Sequence, residues 1–151
     1  MPFVVDASVA AAWLLVDEES RTAEEALSFL ETEDALVPDL FWHEIRNILL
    51  TAERRKRISN EDVLACLMRL TSLPLRTVSS EDHLPILRLA GKYQLSVYDA
   101  AYLALAVAEN VSLATLDARL ERAASAESLT SGWVRKAFPC STAPIAEARS
   151  F

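Results

Sequence analysis

The feature that most constrains this chain is an alternation of two periods. Short apolar runs at Phe3-Val4-Val5, Ala35-Leu36-Val37, Leu75 to Val78 and Val111 to Thr115 are separated by longer stretches. In those stretches apolar residues recur every three or four positions, the period of an amphipathic helix. Strand-like runs alternating with helices predict an α/β fold with a parallel sheet, because parallel neighbours need a crossover between them. The first run passes through Asp6 straight into Ala7 to Val16, which reads as a buried helix. Ser20 starts a second helix with Ala23, Leu27 and Leu30 on one side. Pro38 stops the second strand, and Asp39 is read as the cap of a long helix reaching Arg54-Arg55-Lys56-Arg57. Ser59 with Asp62 resembles a capping box and opens a helix carrying Val63, Leu67 and Leu70. Further helices are expected from Asp82 to Tyr93, over Ala100 to Ala108, and after Asp117. Trp133 to Phe138 reads as a fifth strand, so the sheet has four or five. The domain is placed at 1–138, and 139–151, with Pro139, Pro144 and no sustained period, is read as a tail.

Composition narrows the function. A chain of 151 residues is the size of one domain. With 52% apolar and 25% charged residues it is not intrinsically disordered. The only glycines, Gly91 and Gly132, cannot build a Walker loop or a dinucleotide fingerprint. Two cysteines, Cys66 and Cys140, give neither a disulfide framework nor a cysteine zinc site. The sequence has no leader-like start and no apolar stretch of the roughly 18 residues that span a bilayer, so a cytoplasmic setting is expected. The net charge of −7 opposes binding of a polyanion unless a cation intervenes locally.

Ligands of open α/β sheets gather beyond the carboxyl ends of the strands. Four acids fall there: Asp6 at the end of strand one, Asp117 just past strand four, and Glu44 and Asp99 in early turns of helices. Each has mostly apolar neighbours, an expensive setting for a carboxylate that is neither paired nor metal-bound. Side by side, the four could stay ionised around Mg²⁺ or Mn²⁺. The alternative is that they cap helices or complement helix dipoles, the role given to Asp39 and Asp82. Spacing leaves both readings open. His43 beside Glu44 and His83 at a helix start do not make the paired histidines of a metal-free nuclease. Cys66 reads as core. The basic run at Arg54 to Arg57 is a solvated helix end or an RNA or partner contact.

Local sequence goes further. Val-Val-Asp6-Ala-Ser8-Val-Ala, then Pro38 with Glu44-Ile-Arg-Asn47, then Ser96-Val-Tyr-Asp99-Ala-Ala-Tyr-Leu-Ala-Leu-Ala, then Leu-Ala-Thr115-Leu-Asp117 resembles the PIN-domain family from residue 3 to about 122. Specifically it is similar to the VapC-type toxins of toxin–antitoxin pairs. The resemblance implies a three-layer PIN-like domain and a Mg²⁺- or Mn²⁺-dependent endoribonuclease using one or two ions. It implies Asp6, Glu44, Asp99 and Asp117 as catalytic metal ligands, with Ser8, Asn47 and Thr115 supporting them. The alternative is a catalytically silent PIN-like module that binds RNA or protein.

The resemblance also implies partners: a cognate VapB-type antitoxin, an RNA substrate and a second copy in a homodimer. Trp13, Phe41 and Trp42 are the apolar candidates to receive an antitoxin, although core is the favoured reading of each. An acidic protein must hold RNA through a local basic region. Arg54, Arg55 and Arg57 are the candidates, with Arg46 earlier on the same helix; the cluster is expected on the helical rod that carries Glu44, roughly 15–20 Å from it at about 1.5 Å per residue.

Overall fold

The computed structural model describes residues 1–16 and 20–127. Four strands and seven helices follow one another among these residues. They are β1 (Phe3–Val5), α1 (Ala7–Leu14), α2 (Arg21–Phe29), β2 (Ala35–Pro38), α3 (Leu40–Arg54) and α4 (Asn60–Thr71). Then come β3 (Leu75–Val78), α5 (His83–Tyr93), α6 (Val97–Glu109), β4 (Leu113–Ala114) and α7 (Ala118–Ala126). The strands form one sheet in the order β3-β2-β1-β4, with every pair parallel. Each pair of consecutive strands is joined by two helices, the crossover that parallel pairing demands. This is the expected α/β architecture with a parallel four-stranded sheet. The candidate fifth strand at Trp133 to Phe138 and the tail from 139 lie outside the described residues.

The central strands are apolar on both faces, and β1 and β2 are buried along their whole length. The edge strand β3 is less covered, with Leu75 and Val78 half-buried and Arg76 and Thr77 exposed. Helix α6 lies across β1, β2 and β4, while α1 packs on α2 and α3. Trp13 Nε1 donates to the Ala23 carbonyl at 2.7 Å and ties α1 to α2.

Some expectations are decided and others corrected. Trp13 and Phe41 are buried in the core, the favoured reading, and Trp42 is half-buried with its indole N–H on Thr77 Oγ1 at 2.8 Å. They serve packing, and the exposed large apolar side chains are others, including Leu64, Met68, Leu84, Leu87 and Tyr98. Asp39 and Asp82 precede α3 and α5 without making a side-chain capping bond. Asp39 has helical backbone angles itself, and its carboxylate instead accepts from Ser79 Oγ at 2.9 Å. The Ser59–Asp62 capping box is present. Helix α3 ends at Arg54, and Lys56 adopts φ 59°, so the chain turns before Arg57. Arg46 and Arg54 therefore share the rod that carries Glu44 and Arg55 ends it, while Lys56 and Arg57 leave it. Strand β4 is only two residues long, shorter than the expected run.

Candidate active site

Strand order creates the crevice. From β1 the chain builds outward to β2 and β3, then returns to pair β4 on the other flank of β1. Such a reversal opens a cleft beyond the carboxyl ends of the two strands where the order switches. Asp6 follows the last residue of β1, and Thr115 and Asp117 follow β4.

Asp6 is 5% exposed and caps α1. Its Oδ1 accepts from Ser8 Oγ at 2.6 Å and from the Val9 amide at 3.2 Å, and its Oδ2 accepts from Thr115 Oγ1 at 2.5 Å. Those hydroxyls are themselves fixed: Ser8 Oγ accepts from the Leu116 amide and Thr115 Oγ1 from the Asp117 amide, both at 3.0 Å. Burial pushes the Asp6 carboxyl above its usual range. Hydrogen bonds from Ser8, Thr115 and Val9 oppose that, and the charge of Asp99 adds to it.

Glu44 stands half-buried on α3. Burial raises its carboxyl, the Tyr102 hydroxyl bonded to Oε1 at 2.7 Å pulls it down, and the charges of Asp6 and Asp99 raise it again. Asp99, half-buried in the first turn of α6, is raised by burial and then by the Asp117 charge, while Ser96 and Arg119 counteract. Asp117 caps α7 through the Leu120 amide at 2.9 Å and is exposed.

The four acids are thus electrostatic neighbours: Asp6 with Asp99, Glu44 with both, and Asp99 with Asp117. Among the described residues, no three acid, His or Cys side chains form a ready-made ion cage. The donors are all hard oxygens in an open arrangement. That suits Mg²⁺ or Mn²⁺, since Mg²⁺ is usually bound through one or two carboxylates and keeps several waters.

The other candidates sit further out. Asn47 is exposed one helical turn beyond Glu44. Arg46 is exposed and contacts His43 Nδ1 at 3.5 Å. Arg54, Arg55 and Arg57 are exposed at and beyond the end of α3. Cys66 is half-buried, with its thiol toward the Leu14 carbonyl. It lines a groove of about 720 Å³ that none of the four acids enters.

Two residues at the site escape sequence reasoning. Tyr102 lies three positions after Asp99 at helical spacing, where an aromatic residue is indistinguishable from core. Arg119 had a readable signal: a cation in the first turn of α7, where the helix dipole favours acids. It is exposed, reaches the Gln94 carbonyl at 3.5 Å and lowers the Asp99 carboxyl.

Comparison with known proteins places this arrangement. Residues 3–126 match the family described as PIN domain. Ribonuclease VapC3 of Pyrobaculum aerophilum is 33% identical over 124 residues, covering 80% of this chain and 92% of that protein. The crystal structure of PAE2754 from Pyrobaculum aerophilum superposes with a TM-score of 0.64 at 23% identity, over 82% of this chain and 79% of that one. The shared fold is a parallel sheet between helical layers. The match spans both the acid that ends β1 and the acid that follows β4, and on that ground the chain belongs to the PIN domain family as a VapC-type member.

Proposed function

We propose that this protein is a metal-dependent endoribonuclease, the toxin of a VapBC-type toxin–antitoxin pair. The observation that carries the reading is Asp6, a buried carboxylate with both oxygens hydrogen-bonded, facing the charges of Glu44 and Asp99. The named relative, a ribonuclease, supports it. Asp6, Glu44, Asp99 and Asp117 would hold one or two Mg²⁺ or Mn²⁺ ions. When bound, such an ion lowers the pKa of a water, positions a phosphodiester and offsets the charge of the leaving 3′ oxygen. Ser8 and Thr115 keep the Asp6 carboxylate in one orientation by donating to different oxygens. Asn47 stands one turn from Glu44, where its amide can bond a ligand or substrate. Hydrolysis in this manner leaves 5′-phosphate and 3′-hydroxyl ends.

RNA would be held by phosphate contacts, which position without reading sequence. Arg46, Arg54, Arg55, Arg57 and Arg119 are the exposed cations placed to make them. A VapB-type antitoxin would present Arg or Lys to the acidic crevice and exclude substrate. We place the protein in the cytoplasm as a homodimer, with the domain continuing to residue 138. No helix among the described residues is long and apolar enough to cross a membrane.

The test is cleavage of total RNA by the purified protein with Mg²⁺, Mn²⁺ or chelator, beside Asp6→Asn and Asp99→Asn. The reading requires cleavage that chelation and either substitution abolish. RNA binding without cleavage under every metal condition would instead identify a silent PIN-like module.

A further inference from the structure

Tyr102 is 1% exposed, yet its hydroxyl reaches the half-buried Glu44 and donates to Oε1 at 2.7 Å. The same hydroxyl lies against the backbone of Ala7, the residue after Asp6, and feels the Asp6 charge. Tyr102 also shares α6 with Asp99, one helical turn earlier. One rigid side chain therefore links the three segments that carry the first, second and third acids: the start of α1, α3 and α6. Two consequences follow from elementary chemistry. Phenol has a single proton to donate, and Glu44 takes it, so the rotation of that carboxylate is restricted. With Oε1 engaged, the carboxylate has Oε2 as its uncommitted oxygen.

We propose that Tyr102 is a positioning residue that fixes the orientation of the Glu44 carboxylate, so that its free oxygen Oε2 is presented to a divalent cation bound in the acidic cleft. This rests on the metal-site reading above and adds a residue that the acid quartet alone does not include. A wholly structural tyrosine would fill the same volume, but its removal would change stability without changing cation affinity. Supporting hydrogen bonds to metal ligands affect affinity or activity by roughly 10–100-fold.

The experiment is calorimetric titration of Mn²⁺ into the metal-free protein, compared with Tyr102→Phe, Glu44→Gln and the double variant, beside RNA turnover. Tyr102→Phe should weaken Mn²⁺ binding by about 10-fold or more and lower kcat by a similar factor, with KM for RNA nearly unchanged. In the Glu44→Gln background the same change should have little further effect on Mn²⁺ affinity, because the group through which Tyr102 acts is gone. Unchanged Mn²⁺ affinity in Tyr102→Phe, or an equal loss in both backgrounds, overturns the proposal.

Should Tyr102→Phe fail to fold, 3-fluorotyrosine in the otherwise unaltered protein provides the measurement. The Tyr102 fluorine signal should shift as Mg²⁺ saturates, with the Tyr93 signal fixed. A stationary Tyr102 signal during demonstrated binding overturns the proposal. Wild-type protein that binds Mn²⁺ but leaves RNA intact defeats the nuclease reading alone, and the titrations still decide the role of Tyr102. Wild-type protein that cleaves RNA while Tyr102→Phe matches it in every readout defeats only the positioning role.

Discussion

Thr115 Oγ1 donates to Asp6 Oδ2 at 2.5 Å, joining residues 109 positions apart. The same oxygen accepts from the Asp117 amide, so one buried hydroxyl ties the first acid to the loop carrying the fourth. Thr115→Val keeps the shape and removes both bonds. It should cost about 1–3 kcal/mol by denaturant melting, because the buried Asp6 carboxylate loses a donor and the part-buried Asp117 amide loses its acceptor. RNA turnover should fall by roughly 10–100-fold, as for other groups that support a metal ligand. Full turnover in a destabilised Thr115→Val would show that the hydroxyl serves only the fold.

The pH dependence of the metal-free protein follows from three raised carboxyls, Asp6, Glu44 and Asp99. An acid whose folded pKa lies above its unfolded value binds its proton more tightly when folded. Its stabilising contribution is complete below the unfolded value, near 3.8 for Asp6 and Asp99 and 4.5 for Glu44, and is lost as pH rises through the folded value. Thermal melts in chelator should show these sites favouring the folded state toward mild acid and opposing it at neutral pH. Asp6→Asn should flatten that slope, and the comparison of the two slopes isolates Asp6 from the other titrating groups.

Divalent cations should reverse the neutral-pH deficit. Mg²⁺ or Mn²⁺ at 100 times its dissociation constant would add about 2.7 kcal/mol to stability through binding the folded state alone. The rise in Tm should vanish with chelator and in Asp6→Asn and Asp99→Asn. A rise that persists in both variants would place the ion elsewhere.

Substrate contact should divide between two groups of cations. Arg119 stands near Asp99, so Arg119→Gln should raise KM and reduce the salt slope of RNA binding by about one, with kcat little changed. The triple change at Arg54, Arg55 and Arg57 should also raise KM and flatten the salt dependence if RNA extends along α3. An unaltered KM and slope in the triple variant would assign that end of α3 to solvent or to a protein partner.

The fold was readable where local signals were strong. The buried runs of β1 and β2 and the Ser59–Asp62 box announce themselves within a few residues. Asp39 did not cap because a side chain that can cap does so only with the right backbone angles, and Asp39 has helical ones; Asp82 has the extended backbone of a cap, and nothing in the structure explains why its side chain makes no capping bond. The break at Lys56 was hidden because a left-handed lysine has no sequence signature comparable to glycine. Trp13 and Phe41 illustrate another limit, since aromatic residues near a site suit a core and an interface equally. Tyr102 is the instructive case: its ring belongs to the core and its oxygen to the site, and spacing reports only the ring.

The parallel pairing of β1 with β4 also has a consequence in time. Residues 3–78 contain β1, β2 and β3, so three neighbouring strands are available early in synthesis. The Asp6 carboxylate acquires its Thr115 partner only after 109 further residues have been added, roughly 5–20 s at about 5–20 residues per second. Until then one flank of β1 is open and Asp6 lacks the hydroxyl that fixes its second oxygen. A nascent chain halted between residues 99 and 115 would carry Asp6, Glu44 and Asp99 and still lack a finished crevice, so the site is completed well after the acids that begin it.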